Sequence, residues 1–222
     1  MEVPQLINEA INWVYFSTLF IAVIYSIVRF NKLDRAGKYI CGFIWLSFLT
    51  ESMGWAAAFA FANNLPVYTI SNILELCIIS LYFNNSVRKL NVYHIGVLIG
   101  ITGVVLGGLN IVLLQPINTL NSNFVFIECI VVVCLCLYSI FTMLMSDEEV
   151  TLHKEFHFWI ICILLFYQCA SLGNWGLLNY FIEFLPDKLI FWHIALVLVY
   201  TITYISLIIL FYYYPKLKKT DV

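Results

Sequence analysis

Apolar residues along this chain come in long unbroken runs, not in the alternation of a half-buried strand or the narrow stripe of a surface helix. Crossing a hydrocarbon core of about 30 Å takes about twenty mostly apolar residues at about 1.5 Å each, and seven runs reach that length. They fall near 10–30, 39–62, 66–86, 92–114, 122–145, 156–181 and 188–213. Each is read as a transmembrane helix. The connections are short, the longest near 146–155, which leaves no room for a soluble domain. The expected fold is therefore all-α, a polytopic seven-helix bundle forming a single domain over 1–222. Pro4, Pro66, Pro116, Pro186 and Pro215 all fall at predicted span ends, where a missing N–H costs least.

Composition agrees with a membrane protein: 63% of residues are hydrophobic and 11% are charged. The placement of the charges sets an orientation. Arg29, Lys32, Arg35, Lys38, Arg88, Lys89, Lys154, Lys216, Lys218 and Lys219 all fall on one side of the predicted spans, leaving only Lys188 opposite. That side is expected to be the cytoplasm, with the N-terminus outside and the C-terminus inside a cell (inner) membrane. The start of the chain, MEVPQLINEA, lacks a basic leader and a small-residue cleavage site, so the first span is expected to be retained. Trp13, Trp159, Trp192 and Tyr212 to Tyr214 suit interfacial anchors. The seven cysteines all lie within spans and read as small packing residues. The expected surroundings are a lipid bilayer and no nucleic acid.

Span four carries Gly96, Gly100, Gly103 and Gly107 on one helical face. Small residues at this spacing let two backbones approach closely, either inside the bundle or across a homo-oligomer seam. Gly54, Ala58 and Ala62 form a weaker version on span two.

The polar residues within the spans carry the functional signal. The stretch SFLTESMGW places Glu51 about halfway along span two. Tyr68, Asn72 and Glu75 share one face of span three, Glu128 lies two turns into span five, Tyr167, Ser171 and Asn174 align on span six, and His193 starts a face of span seven with Tyr200 and Tyr204. Nearly all of them fall at mid-depth or in the outer half. A charged carboxylate at the bilayer centre costs about 2.5–3.5 kcal/mol on insertion scales, so three left facing lipid would cost about 8–10 kcal/mol. They must face inward, be protonated or hold a cation. Glu51, Asn72, Glu75, Glu128, Asn174 and His193 are therefore the candidate ligand- or proton-binding residues of an outward-facing cavity, with Trp55, Tyr68 and Trp175 at its rim. Glu51, Glu75, Glu128 and His193 could also combine as mixed oxygen and nitrogen ligands of a metal ion that activates water. The His153 to His157 pair reads as a solvated loop and helix start. No cofactor is indicated.

Gly54-Trp55 before Pro66 and Gly173-Asn-Trp175 before Pro186 form an internal echo, which suggests parallel repeats of spans one to three and five to seven with span four as linker. That layout is similar to the sugar-carrying SWEET and PQ-loop families, although the chain lacks their helix-interior prolines and its Gln115-Pro116 pair is reversed and in a loop. Span seven has no lysine beyond its first residue, Lys188, which argues against a retinal Schiff base, and a single histidine there argues against the zinc site of ceramidases and adiponectin-receptor hydrolases. Glu51, followed by Asn63-Asn64-Leu65 and then Tyr68, Asn72 and Glu75, resembles a group of small bacterial seven-helix integral membrane proteins that brings no assigned activity. Three functions follow as expectations: a cavity binding a small molecule or ion, foremost a proton-coupled carrier; an intramembrane metal-dependent hydrolase; and a sensor or accessory subunit contacting a partner through Asp147-Glu148-Glu149.

Overall fold

The computed structural model describes residues 3–145 and 152–217. The long helices are α1 (Val3–Arg29), α2 (Arg35–Phe61), α3 (Leu65–Ser86), α5 (Ile95–Leu113), α6 (Ser122–Leu144), α7 (Phe156–Phe184) and α8 (Leu189–Leu217), with a short α4 (Arg88–Val92) between α3 and α5. All seven long helices are long and apolar enough to cross a membrane. Their ends lie close to those read from the apolar runs. The loop 147–149, the side chains of His153 and Lys216, and Lys218 and Lys219 lie outside the described residues.

Six of the long helices close into a ring, with α1 beside α2, α2 beside α3, α3 beside α6, α6 beside α7, α7 beside α8 and α8 back beside α1. The remaining long helix, α5, stands outside this ring and packs chiefly on α3. Its glycine face explains that position. A Cβ at Gly96 would meet the Ser80 carbonyl oxygen and lie 2.5 Å from the Asn84 Cβ, and a Cβ at Gly103 would lie 2.6 Å from Leu76. Gly100 and Gly107 likewise face Ser80 and Ile73. All four glycines are buried, while Leu98, Ile101, Val105 and Val112 on the other faces are exposed. Of the two readings of the Gly96, Gly100, Gly103 and Gly107 face, packing inside the bundle holds and the homo-oligomer seam is corrected: α3 of the same chain occupies that face.

The two halves of the ring differ. Toward the end that carries Arg29, Arg35 and Arg88, the interior is closely packed by Ile40, Phe43 and Ile44 of α2, Ile79, Tyr82 and Phe83 of α3, Ile160, Ile161 and Leu164 of α7, and Leu207 and Phe211 of α8, all fully buried. Lipid tails are as apolar as these side chains, so close packing and internal hydrogen bonds hold the helices together. Trp45 Nε1 donates to Ser26 Oγ at 2.7 Å and ties α2 to α1 in this half.

A polar tie finishes the basic end. Asp34 caps α2, its Oδ1 accepting from the Gly37 N–H at 2.9 Å. Its Oδ2 lies 3.0 Å from His157 Nε2 at the start of α7, and the Tyr82 hydroxyl of α3 lies 3.4 Å from His157 Nδ1. His157 lies in the first turn of α7, at the helix start expected for it, and also makes a cross-bundle tie. Burial pushes the Asp34 carboxyl up, but its hydrogen bond to His157, the charge there and the Gly37 and Ala36 N–H groups outweigh burial and hold it below the usual carboxylate value.

Two predictions test this packing. Gly96→Ala is expected to cost about 1–3 kcal/mol through overpacking, whereas Gly108→Ala, whose added Cβ meets nothing within 4 Å, is neutral or mildly stabilising. Melting of the two variants in detergent gives the comparison, and equal stabilities would count against the α3–α5 contact. Asp34 has a lowered folded value, so its contribution is present above the ordinary value of 3.8 and is lost as pH falls through the folded one. The melting difference between wild type and Asp34→Asn should accordingly be largest near neutral pH and shrink in acid below that value.

Candidate functional site

The other half of the ring encloses a cavity of 490 Å3. It runs from the loops around Asn64 and Asn121 down to Tyr167 and Tyr204, and α1, α2, α3, α6, α7 and α8 all contribute to its wall. Glu51, Asn72, Glu75 and His193 line it, as do Trp55, Tyr68 and Trp175. Seven of the nine residues picked from the sequence thus meet at one cavity. None of the described residues lining it is a Lys or Arg.

Glu51 is held from both sides. Its Oε1 accepts from the Tyr15 hydroxyl of α1 and its Oε2 from the Tyr68 hydroxyl of α3, each at 3.1 Å. One carboxyl of α2 therefore links three consecutive helices. Local sequence makes this possible, because Gly54 lies one turn after Glu51 and leaves room for the phenol. A Cβ at Gly54 would lie 3.0 Å from the Tyr68 oxygen and 3.1 Å from its ring. Gly54 is thus a seat for Tyr68, a more specific role than membership of a small-residue stripe. Immediately before Glu51, Thr50 donates to Ser71 Oγ at 2.7 Å and fixes α2 against α3.

Below Glu51 lies a group of tyrosines. Tyr15 has its ring 6.1 Å from both Tyr200 and Tyr204, and Tyr200 lies 5.4 Å from Tyr167. The Glu75 carboxyl interacts with Tyr167, Tyr200 and Tyr204, and the last two also lie within electrostatic reach of Glu51. Both glutamates and this tyrosine pair line the same cavity. Phe43 closes the floor, with its ring 5.9 Å from Tyr167 and 6.2 Å from Tyr204. Trp55 contacts Trp13 and Phe16 of α1 at one side of the mouth, while Trp175 meets Trp192 at another.

Two expected site residues lie elsewhere. Asn174 turns its amide back to the Ala170 carbonyl of its own helix at 2.9 Å and is not among the lining residues, though its backbone carbonyl accepts from Trp192 Nε1 at 3.2 Å. Glu128 is 3% exposed and also off the lining, with an Oε1 that has no hydrogen-bond partner, yet it interacts electrostatically with Glu75. Glu51, Glu75, Glu128 and His193 do not form a metal cluster: among the described residues no three His, Cys, Asp or Glu groups come together as ligands. The metal-centre expectation is corrected on that geometry, since Glu51 is committed to two tyrosines and Glu128 lies behind the cavity wall.

Sequence reading missed Tyr15 and the importance of Asn12, another lining residue. The signal was present, because Asn8, Asn12 and Tyr15 repeat on α1 the i, i+4, i+7 spacing of Tyr68, Asn72 and Glu75 on α3. It also missed Gln115, whose Nε2 donates to Ser122 Oγ at 3.1 Å and whose Oε1 accepts from the Asn123 N–H at 3.0 Å. Those bonds brace the loop beside Asn121 at the mouth. No family model matches the chain, and no curated protein or solved structure matches it.

The Gly54 seat gives a direct test. Tyr68→Phe removes one hydrogen bond to Glu51 and is expected to cost about 1 kcal/mol, and Gly54→Ala should cost a similar amount by displacing the same phenol. The double variant should then cost clearly less than the sum, as coupled sites do. Strict additivity in detergent melts would show that Gly54 does not act through Tyr68.

Proposed function

We propose that this multi-pass membrane protein binds a small molecule or ion in the cavity and carries it in exchange with protons. The observation that supports the reading best is a cavity presenting Glu51 and Glu75 with no Lys or Arg among the described residues of its wall. Uncompensated carboxyls in such a place cost stability and persist in membrane proteins chiefly where they handle ions, protons or substrates. Glu128 fits the same role. A buried carboxyl oxygen without a partner is tolerable when its group carries a proton or a cation, and Glu128 is in electrostatic contact with Glu75 at the cavity.

Orientation follows from the basic end. With Arg29, Lys32, Arg35, Arg88 and Lys89 toward the cytoplasm of a cell membrane, the cavity opens outward and the packed half lies inward. This corresponds to one state of an alternating-access carrier. The ring contacts suit the internal repeat: α1, α2 and α3 form one consecutive trio, α6, α7 and α8 another, and the trios meet at α3 with α6 and at α8 with α1, while α5 stands aside as the linker. In this reading Asn72 and His193 orient the ligand and Trp55, Tyr68 and Trp175 form the rim. The partner contact of a sensor subunit, Asp147-Glu148-Glu149, lies outside the described residues.

The test uses purified protein in vesicles that contain a trapped pH indicator, with candidate solutes of different charge added outside. A carried solute should move protons, and Glu51→Gln and Glu75→Gln should each lower that movement by about tenfold or more while leaving the protein folded. Proton movement untouched by Gln at positions 51, 75 and 128 together would overturn the proposal.

A further inference from the structure

The chemistry of the wall narrows the class of ligand, on the reading that the cavity is a ligand site. Its volume of 490 Å3 lies within the range of small organic ligands and far exceeds what a bare metal ion fills. Its charge comes from Glu51 and Glu75, and among the described lining residues only His193 could carry a positive charge of its own. An anion would face two carboxyls without a fixed cation. A neutral polyol would satisfy hydrogen bonds but offer no charge to take the place of the protons on the carboxyls.

The aromatic groups give the second constraint. Tyr15, Tyr167, Tyr200 and Tyr204 gather at the floor with ring separations of 5.4–6.1 Å among the pairs Tyr15–Tyr200, Tyr15–Tyr204 and Tyr167–Tyr200. Tyr200 and Tyr204 line the cavity together with Glu51 and Glu75 and lie within electrostatic reach of both. Electron-rich rings beside carboxyls attract a cation whose charge is spread over an alkylated head, because its weak hydration is easily surrendered to ring faces. A strongly hydrated divalent ion is usually held by several carboxylates, and no three Asp, Glu, His or Cys groups converge among the described residues.

We infer that the cavity takes an organic cation, an amine or quaternary ammonium with an apolar body, its charged head against Tyr200 and Tyr204 between Glu51 and Glu75. The apolar body then extends toward Trp55 and Trp175 at the mouth. Binding and proton exchange become linked, since a cation entering between the glutamates displaces protons from the same carboxyls.

The probes are benzyltrimethylammonium, its uncharged isostere neopentylbenzene, benzoate and glucose, titrated into the full-length protein in detergent. Quenching of tryptophan fluorescence and melting temperature are the two readouts. The ammonium should bind saturably and the other three should not. Glu75→Gln and Tyr200→Leu should each weaken it by about tenfold, and Tyr200→Phe, which keeps the ring face, should stay within about threefold of wild type. Equal binding of neopentylbenzene, or no saturable ammonium binding at about 10 mM, would overturn the cation assignment. Glu75-dependent binding of glucose or benzoate alone would also overturn it while leaving the cavity a ligand site. Binding of none of the probes, together with no solute-driven proton movement in vesicles, would remove the carrier reading as well.

Discussion

A carboxyl inside an apolar bundle must find its partners within the protein, and the architecture here turns on how Glu51 does so. Its two oxygens take hydroxyls from Tyr15 and Tyr68, so the charge-bearing group of α2 becomes the joint of α1, α2 and α3. In hydrocarbon, close packing and a few hydrogen bonds must do what apolar burial does in water. A joint that serves three helices at once therefore constrains more than any single van der Waals contact. It also leaves an opening. Tyrosine rings and a carboxyl do not interdigitate as aliphatic side chains do, and the cavity begins where they meet. The Gly54 seat shows the same economy, because the absence of one Cβ lets the Tyr68 ring lie over α2 and reach its acceptor.

The two ends of the ring divide the work. In the basic half, aliphatic and aromatic side chains fill the interior and the Asp34–His157–Tyr82 tie links the start of α2 to α7 and α3. In the other half, the helices stand around a space lined by Glu51, Glu75 and the tyrosines. Helix α5 contributes nothing to that lining and works from outside. Its glycine face presses on α3 from Ile73 to Asn84, the helix that also carries Tyr68, Asn72 and Glu75. A bulge at the α5 contact would be transmitted directly to the cavity wall, since closely packed elements move as units.

How much of this could be read from the residues depends on what each reading required. Span limits were legible because length and hydropathy suffice, and Pro66 at the start of α3 marks one end plainly. The glycine face of α5 was legible as a close approach, but its partner was not, since Gly96 through Gly107 would look the same against a second copy. Which way a helix turns within a bundle is harder, because nearly every face of such a helix is apolar. Asn174 and Ser171 share a face of α7 by spacing, yet Asn174 satisfies its amide on Ala170 and leaves the cavity to Trp175 and Tyr167. The tie made by His157 was not legible for a related reason. Its partner Asp34 is more than a hundred residues away, and only the closed ring brings α7 beside the start of α2.

Glu128 shows why depth and access are separate properties. By sequence it resembles Glu51 and Glu75, a carboxyl inside an apolar span, and nothing local distinguishes the three. In the fold, Glu51 is engaged by two phenols, Glu75 opens on the cavity, and Glu128 is enclosed with an unpartnered oxygen while still feeling the charge of Glu75. In the proposed carrier, a cation arriving beside Glu75 changes the field at Glu128, so a group the ligand never touches is still told that the site is full. In that proposal a link of this kind, a free-energy coupling between two distinct positions, carries occupancy of the cavity to the packed half. The Glu75–Glu128 pair would supply it without any contact between ligand and core.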